Sequence, residues 1–448
     1  GIRNVYRRVG LGVPCVARTP VERVNTPVVQ NRYYPKPLLQ GTTARVVPGG
    51  SLTDGSWRQT PATLVFHDAF EDGPVVLGGR TVPLAFDRTT PLARQSAGSI
   101  LPELDLIGLL TSNFKGKVES GIFMLRPYEP GKIPVVFVHG LNSSPRAWLQ
   151  TLNEMASDRE LSARYQFWVF LYPTGRPIPG SAALLRQALL QARQDFDPAQ
   201  TDAAFDQMVL VGHSMGGLLS KMMVQRSGSV LWDAAFNVPY DRLKGPEEIR
   251  TRLASALFYE PIPFVRRVVF VATPHRGSLI ANRFIGRMTS RLMAGPDEQA
   301  KLVARLEEAN GPGVISPVLK GNALGSVDEL RTDSPVLAAL NRIPIEPDIP
   351  YHSVIPQITG QPGGTDGVVP YRSSHLEGAV SEQVITGTHS AQQSAAATTE
   401  IKRILRLHLT ETNGALLAGG KASQDGRVAR ASGEPEPSET DLPPPVEP

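Results

Sequence analysis

Apolar and polar residues follow two different patterns along the chain, and the change comes near residue 133. Before that point, prolines and glycines separate short β-type runs, for example residues 63–66 and 75–77. After it, apolar runs of strand length alternate with segments of helical period. The first pattern predicts a β-rich accessory region over residues 1–132. The second predicts an α/β domain with a mostly parallel sheet and helices on both faces.

Six apolar runs are predicted to be the strands of this sheet. They are residues 134–138, 167–171, 208–211, 267–271, 352–358 and 382–385. Between the second and third runs, residues 181–196 place Leu185, Leu189 and Ala192 on one stripe, with arginines outside it. This segment is therefore predicted to be an amphipathic helix that connects two parallel strands.

Two long stretches, at about 228–263 and 276–350, interrupt this alternation and are predicted to be cap insertions. The second contains helical patterns at residues 296–308 and 334–340. The α/β domain is predicted to span residues 133–409. Beyond it the periodicity is lost, and six of the last fifteen residues are proline with acidic residues between them. Residues 410–448 are therefore predicted to be a disordered Pro/Glu-rich tail.

Composition narrows the functional classes. The 448 residues are 41% hydrophobic and 20% charged, which excludes wholesale disorder. The net charge of +4 is too dilute for a nucleic-acid surface, and no phosphate-binding loop follows a strand. No apolar run reaches about 18 residues, so no membrane span is predicted. The single cysteine, Cys15, excludes an internal disulfide and a cysteine-rich metal site.

The strongest chemical motif is Gly212-His213-Ser214-Met215-Gly216, which directly follows a predicted strand and precedes a helical segment. Small residues two positions either side of Ser214 allow a sharp turn that exposes the serine hydroxyl at the carboxyl edge of the sheet. The helix that follows directs its free amides toward a developing oxyanion. Ser214 is therefore the candidate nucleophile, and the Met215 amide is a candidate oxyanion-hole donor.

A second oxyanion donor is expected in the turn after the first strand, Val138-His139-Gly140-Leu141. The Leu141 amide is the candidate, because Gly140 allows the backbone to approach Ser214 closely. His139 is predicted to stabilise this loop through its ring nitrogens.

A serine nucleophile needs a base, and the base needs an orienting carboxylate. Asp366 follows the predicted strand at 352–358, and His389 follows the strand at 382–385. The chain order Ser214, Asp366, His389 is the order that this type of elbow requires. These three residues are the predicted catalytic triad.

Other residues compete for these roles. His375 and Glu377 precede the last strand instead of following it. His275 comes too early in the chain to be the base, and a structural or cap-hinge role is favoured for it. His352 opens a strand and is predicted to be a core or edge residue. His67 and His408 have no neighbours in sequence that suggest chemistry.

Together these motifs resemble the α/β-hydrolase superfamily, and more narrowly its bacterial lipase and carboxylesterase branch, over residues 133–409. The turn that ends at Leu141, the elbow, the segment Thr273–Gly277 and the loop Asp366–Pro370 carry the resemblance. It implies an α/β-hydrolase fold for these residues, to which the sequence pattern adds the helical cap insertions and the β-rich N-terminal region; that region matches no motif of the family. It also implies hydrolysis through an acyl-enzyme intermediate, without a cofactor.

Two departures from this branch are visible. Calcium-dependent relatives carry an acidic residue two positions after the base, where this chain has Ala391, so no metal site is predicted there. Their disulfide is impossible with one cysteine. The resemblance implies a periplasmic, membrane-anchored or secreted protein and contact with a lipid interface.

The leading hypothesis is a serine carboxylester hydrolase that acts on small-molecule or lipid-like esters. An open site would also admit aliphatic polyesters. Amide or thioester cleavage and acyl transfer use the same triad and remain alternatives, as does a non-catalytic hydrolase-fold binding protein. The sequence leaves the acyl chain length, a mobile lid and the oligomeric state open.

Overall fold

Short strands broken by glycine and proline turns build the N-terminal region of the computed structural model. The structure describes residues 2–19, 32–35, 37–50, 53, 55–70, 73–98, 120–278, 304–316, 329–359 and 363–428. An antiparallel three-stranded sheet has the order β2-β3-β4, β5 pairs with β6, and β1 pairs with β7. The elements are β1 (Arg7–Arg8), β2 (Val13–Thr19), β3 (Leu38–Val47), β4 (Thr63–Asp68), β5 (Val75–Leu77), β6 (Arg80–Val82), β7 (Phe86–Asp87) and α1 (Thr89–Gly98).

A seven-stranded sheet forms the centre of the fold, in the order β14-β13-β12-β11-β9-β10-β8. All neighbouring strands are parallel except β8, which pairs antiparallel with β10 at the edge. Every residue of β9 and β11 is buried, as expected for strands covered on both faces. The strands are β8 (Gly121–Met124), β9 (Ile133–Val138), β10 (Tyr165–Leu171), β11 (Met208–His213), β12 (Val265–Val271), β13 (Tyr351–Gln357) and β14 (Ser381–Thr386).

Helices connect these strands. They are α2 (Leu149–Ser157), α3 (Arg159–Arg164), α4 (Ile178–Phe196), α5 (Met215–Met222), α6 (Val230–Ala235), α7 (Glu247–Leu257), α8 (Pro335–Arg342), α9 (Tyr371–Ser374) and α10 (Ala395–Val428). Helix α4 buries the stripe that includes Leu185, Leu189 and Ala192 in the core. Within the described residues, no helix combines the length and apolar character needed to cross a bilayer.

The predicted fold class is confirmed, and each of the six predicted strands is present within two residues of its expected bounds. The predicted helix at 181–196 begins earlier, at Ile178, because Pro179 fits the first turn of a helix. The predicted helix at 334–340 is α8. Of the predicted helix at 296–308, the described residues 304–308 are helical, and the rest lies outside the described residues.

Two predicted boundaries need correction. Strand β8, at residues 121–124, belongs to the central sheet although it falls within the predicted accessory region 1–132. It is a four-residue edge strand, too short to show a pattern in the sequence. The predicted tail at 410–448 is wrong in its first part, because α10 extends to Val428. The prolines that end helices begin only at Pro435, outside the described residues.

The chain divides into two units, residues 1–402 and residues 403–448. The first unit contains all the sheets and every candidate site residue. The second contains the part of α10 from Arg403 to Val428.

Candidate active site

Ser214 lies in a strained turn between β11 and α5. Its φ of 53° and ψ of −125° are unusual for a residue with a side chain. The surrounding backbone holds this conformation, because the Ser214 amide donates to the Val271 carbonyl at 2.9 Å and the Gly217 amide donates to the Ser214 carbonyl at 2.9 Å. The turn therefore presents the serine side chain at the carboxyl edge of the sheet.

Glycine is required on both sides of this turn. A Cβ atom on Gly212 would lie 2.5 Å from the Gly216 carbonyl oxygen, and one on Gly216 would lie 2.4 Å from the Val138 carbonyl oxygen. Both distances are far below a van der Waals contact. The two glycines predicted to shape the elbow therefore allow β11, α5 and the end of β9 to pack together.

A chain of hydrogen bonds runs from Ser214 through His389 to Asp366. The His389 Nε2 atom lies 2.9 Å from Ser214 Oγ, and its Nδ1 atom lies 2.7 Å from Asp366 Oδ2. A carboxylate accepts hydrogen bonds, so Nδ1 carries the proton and Nε2 is left to accept the serine proton. The His389 amide also donates to the Asp366 carbonyl at 3.0 Å, which fixes the two loops together.

The Asp366 carboxylate is held from its other side. Its Oδ1 atom accepts hydrogen bonds from the Val368 amide at 2.8 Å and the Val369 amide at 2.6 Å. The residue is 2% exposed and lies in the loop between β13 and α9. The carboxylate therefore has one orientation, with Oδ2 directed at His389.

His213 holds the backbone of His389, a role that the sequence did not predict. Its Nε2 donates to the His389 carbonyl at 2.8 Å. Burial, with a smaller contribution from the neighbouring His389, lowers the pKa of His213 to about 3. His213 is therefore neutral near pH 7, with its proton on Nε2. Its position immediately before Ser214 in the elbow was the available signal.

The two candidate oxyanion donors follow Ser214 and β9. Met215 is the first residue of α5, and Leu141 lies in the turn after β9. Neither amide donates a hydrogen bond to any residue in the described part of the chain. Gly140 brings the two turns into contact, since a Cβ atom there would lie 2.8 Å from Ser214 Cβ.

His139 stabilises the turn after β9. Its Nδ1 atom lies 3.0 Å from the Gly140 carbonyl oxygen, and its ring stacks on Tyr172 with centroids 4.5 Å apart. The Tyr172 hydroxyl donates to the His139 carbonyl at 2.8 Å. Complete burial lowers the pKa of His139 to about 4, so it is neutral near pH 7.

The competing residues have other contacts. His375 pairs with Glu382 at 2.6 Å, and the Glu377 carbonyl accepts a hydrogen bond from Tyr351. His352, predicted to be a core or edge residue, is fully buried between Arg267 and Ser381 and is therefore a core residue.

His275 is buried beside the elbow helix, and its carbonyl accepts a hydrogen bond from Asn341 of α8 at 2.7 Å. The Lys221 ammonium of α5 donates to the same asparagine at 3.1 Å. Burial lowers the pKa of Lys221 to about 8 and that of His275 well below its usual value. Asn341 thus links α8 to both the elbow helix and the turn after β12.

No group of three or more His, Cys, Asp or Glu side chains is placed to hold a metal ion in the described part of the chain. Ala391, where calcium-dependent relatives have an acidic residue, is buried.

Comparison with known proteins gives a family. Residues 135–400, more than half of the chain, match the model of the alpha/beta hydrolase family. No curated protein sequence matches at a significant level.

Three solved structures are among those that this chain matches. The lipase BlEst2 of Bacillus licheniformis, in its mature form, is 21% identical with a TM-score of 0.38, covering 63% of this chain and 97% of that one. The Staphylococcus hyicus lipase is 15% identical, with a TM-score of 0.37 and coverage of 64% and 98%. The monoacylglycerol lipase of Paleococcus ferrophilus is 12% identical, with a TM-score of 0.34 and coverage of 66% and 99%. These TM-scores are below 0.5, so the family match carries the identification.

Proposed function

The chain belongs to the alpha/beta hydrolase family, and we propose that it is a serine hydrolase of carboxylic esters. The observation that carries the proposal is the hydrogen-bonded series Ser214, His389, Asp366 on a strained elbow. A serine hydroxyl, an imidazole and a buried carboxylate in this order are what acyl transfer requires.

In the first half of the reaction, Ser214 Oγ attacks the ester carbonyl carbon while its proton passes to His389 Nε2. The carbonyl π electrons move to oxygen, and the Leu141 and Met215 amides stabilise the resulting oxyanion. When the tetrahedral intermediate collapses, the bond to the alkoxide oxygen breaks, and His389 returns the proton to that oxygen. The alcohol leaves, and the acyl group stays on Ser214.

In the second half, His389 takes a proton from water as the water oxygen attacks the acyl carbon. Collapse of the second intermediate breaks the bond to Ser214 Oγ, which recovers its proton, and the carboxylic acid leaves. Asp366 stabilises the imidazolium in both halves without taking a proton itself. His213 holds the His389 backbone, and Asp366 orients the imidazole through its Nδ1 atom.

The proposal is tested by hydrolysis of p-nitrophenyl esters from acetate to palmitate. We expect the wild type to be active, Ser214→Ala to lose about 10⁶ in kcat and Asp366→Asn about 10⁴. The matched control is Ser255→Ala, a serine on the exposed side of α7 that should leave activity unchanged. The chain length with the highest kcat/KM distinguishes an esterase from a lipase.

Two results would contradict the proposal. If Ser214→Ala kept wild-type activity, Ser214 would not be the nucleophile. If the wild type were inert toward every ester, the same variants would be assayed with amides, thioesters and acyl acceptors, since those reactions use the same triad.

A further inference from the structure

A pocket lies between the N-terminal region and the edge of the central sheet. Its volume is about 80 Å³, and apolar side chains from β3, α1, α2 and β10 form much of its wall. These side chains are Leu39, Leu92, Leu152 and Phe167, and they are joined by Phe70 after β4 and Leu125 after β8. None of its described lining residues belongs to the candidate active site. The wall is suited to an apolar chain of modest size.

Two of the cations at this pocket are already neutralised. Arg126 forms a bidentate pair with the Asp68 carboxylate, with distances of 3.1 and 3.3 Å. Lys132 pairs with Glu129. Their charges are therefore committed to carboxylates of the protein.

Arg88, which also lines the pocket, is different. Its Nε donates to the Ala69 carbonyl at 2.9 Å and its Nη1 to the Ser157 carbonyl at 3.3 Å. Among the described residues, no carboxylate lies within ion-pair distance of it, and its Nη2 makes no hydrogen bond. Its guanidinium packs against two rings, 5.1 Å from the centroid of Phe70 and 4.7 Å from that of Phe86.

The surroundings of Arg88 carry an excess of positive charge. Burial lowers the pKa of Arg88, and the guanidiniums of Arg159, Arg8 and Arg126 lower it further, against the opposing effect of Asp68. A half-buried cation that has no carboxylate partner among the described residues is costly, and an anionic ligand would remove that cost. A carboxylate is also the group that a guanidinium binds best through paired N–H donors.

We propose that this pocket binds a monocarboxylate with an apolar chain, its carboxylate on Arg88 and its chain along the apolar wall. Binding there does not depend on the reaction at Ser214. The pocket thus constitutes a second ligand site, in which the N-terminal region and the central sheet share one fatty-acid-like ligand.

The test is calorimetric titration of the full chain with octanoate, with acetate (charge without chain) and with octan-1-ol (chain without charge). Two variants remove different parts of the site. Arg88→Met removes the charge, and Leu92→Trp fills the pocket while leaving Arg88 in place. The matched control is Arg94→Met. Arg94 is exposed, lies on α1 with Leu92, and does not line the pocket. Urea unfolding of each variant verifies that it is folded.

We expect octanoate to bind the wild type and Arg94→Met equally, and to bind Arg88→Met and Leu92→Trp at least about 10-fold more weakly. Acetate and octan-1-ol should each bind the wild type at least about 10-fold more weakly than octanoate. If Arg88→Met does not fold, Leu92→Trp decides the question. The proposal is overturned if octanoate does not bind the wild type, or if either variant, once shown to be folded, binds it as the wild type does. The latter result would place the acid elsewhere, for example beside Ser214.

Discussion

Acid should destabilise this protein through its buried histidines. His139 and His213 are buried, and burial lowers their pKa values to about 4 and about 3. In an unfolded chain the ordinary histidine pKa is about 6.5. Between pH 6.5 and these lower values, the unfolded chain takes up protons that the native protein does not.

The sign and size follow from this difference. Because the unfolded state binds more protons, the free energy of unfolding falls as the pH falls below 6.5, by about 1.4 kcal/mol per pH unit for each histidine. From pH 7 to pH 5 each contributes a loss of about 2 kcal/mol, so the pair contributes about 4 kcal/mol. His275, whose pKa is lowered in the same sense, adds to the loss. The total is a large part of the 5–15 kcal/mol that is typical of a domain.

The assay is urea unfolding at pH 7, 6 and 5, monitored by tryptophan fluorescence. His139→Phe retains a ring that can stack on Tyr172 but does not titrate, so the slope of stability against pH should fall by about 1.4 kcal/mol per unit. The control Tyr172→Phe removes the hydroxyl that binds the His139 carbonyl, and it should lower stability at every pH without changing the slope.

The reasoning is refuted if His139→Phe unfolds with the wild-type slope between pH 6 and pH 5. A change in slope in Tyr172→Phe would refute it as well, because that variant keeps both histidines.

Two further substitutions test the packing of the elbow and the charge on its helix. Gly212→Ala should lower the free energy of unfolding by roughly 3 kcal/mol or more, because its Cβ would meet the Gly216 carbonyl. Gly180→Ala, where a Cβ on α4 meets no other atom, should raise it by about 1 kcal/mol. Urea midpoints measure both variants, and equal effects would contradict the contact argument. Lys221→Met removes a buried ammonium whose pKa is lowered to about 8, so it should raise the free energy of unfolding at pH 7 by roughly 1–2 kcal/mol, less the cost of the hydrogen bond that Asn341 loses. At pH 10 the native lysine is neutral and the gain in stability should be smaller. A gain of the same size at both pH values would count against a charge effect.

The central strands could be predicted because burial on both faces demands continuous apolar runs, which the sequence displays directly. Strand β8 could not, since a four-residue edge strand owes its place to pairing with β10 and not to its own pattern. The predicted tail at 410–448 is a related case. The loss of apolar periodicity there favours a tail, but α10 continues to Val428, because loss of periodicity does not by itself end a helix.

The candidate site likewise contains residues that the sequence predicts and contacts that it does not. Ser214, Asp366 and His389 could be singled out because each follows a strand at the carboxyl edge, and their hydrogen bonds follow from the sheet order. Their catalytic roles remain a proposal. The support from His213 depends on which neighbour its ring meets in three dimensions, and the pocket at Arg88 depends on how the N-terminal region packs on the sheet. Neither arrangement leaves a periodic signal in the sequence.

The order of strands in the central sheet also separates the placement of the candidate triad from the long connection between β12 and β13. Strands β12 and β13 are parallel neighbours, and the chain between them, residues 272–350, leaves the sheet at one and returns at the next. Two parts of this connection contact the elbow helix or the turn beside it: the turn after β12, and Asn341 of α8, whose side chain binds the His275 carbonyl and Lys221. A graft between β12 and β13 that keeps those two parts therefore leaves the turn that carries Ser214 in place. Exchanging the rest of the connection is a route to new substrate preferences on the proposed triad.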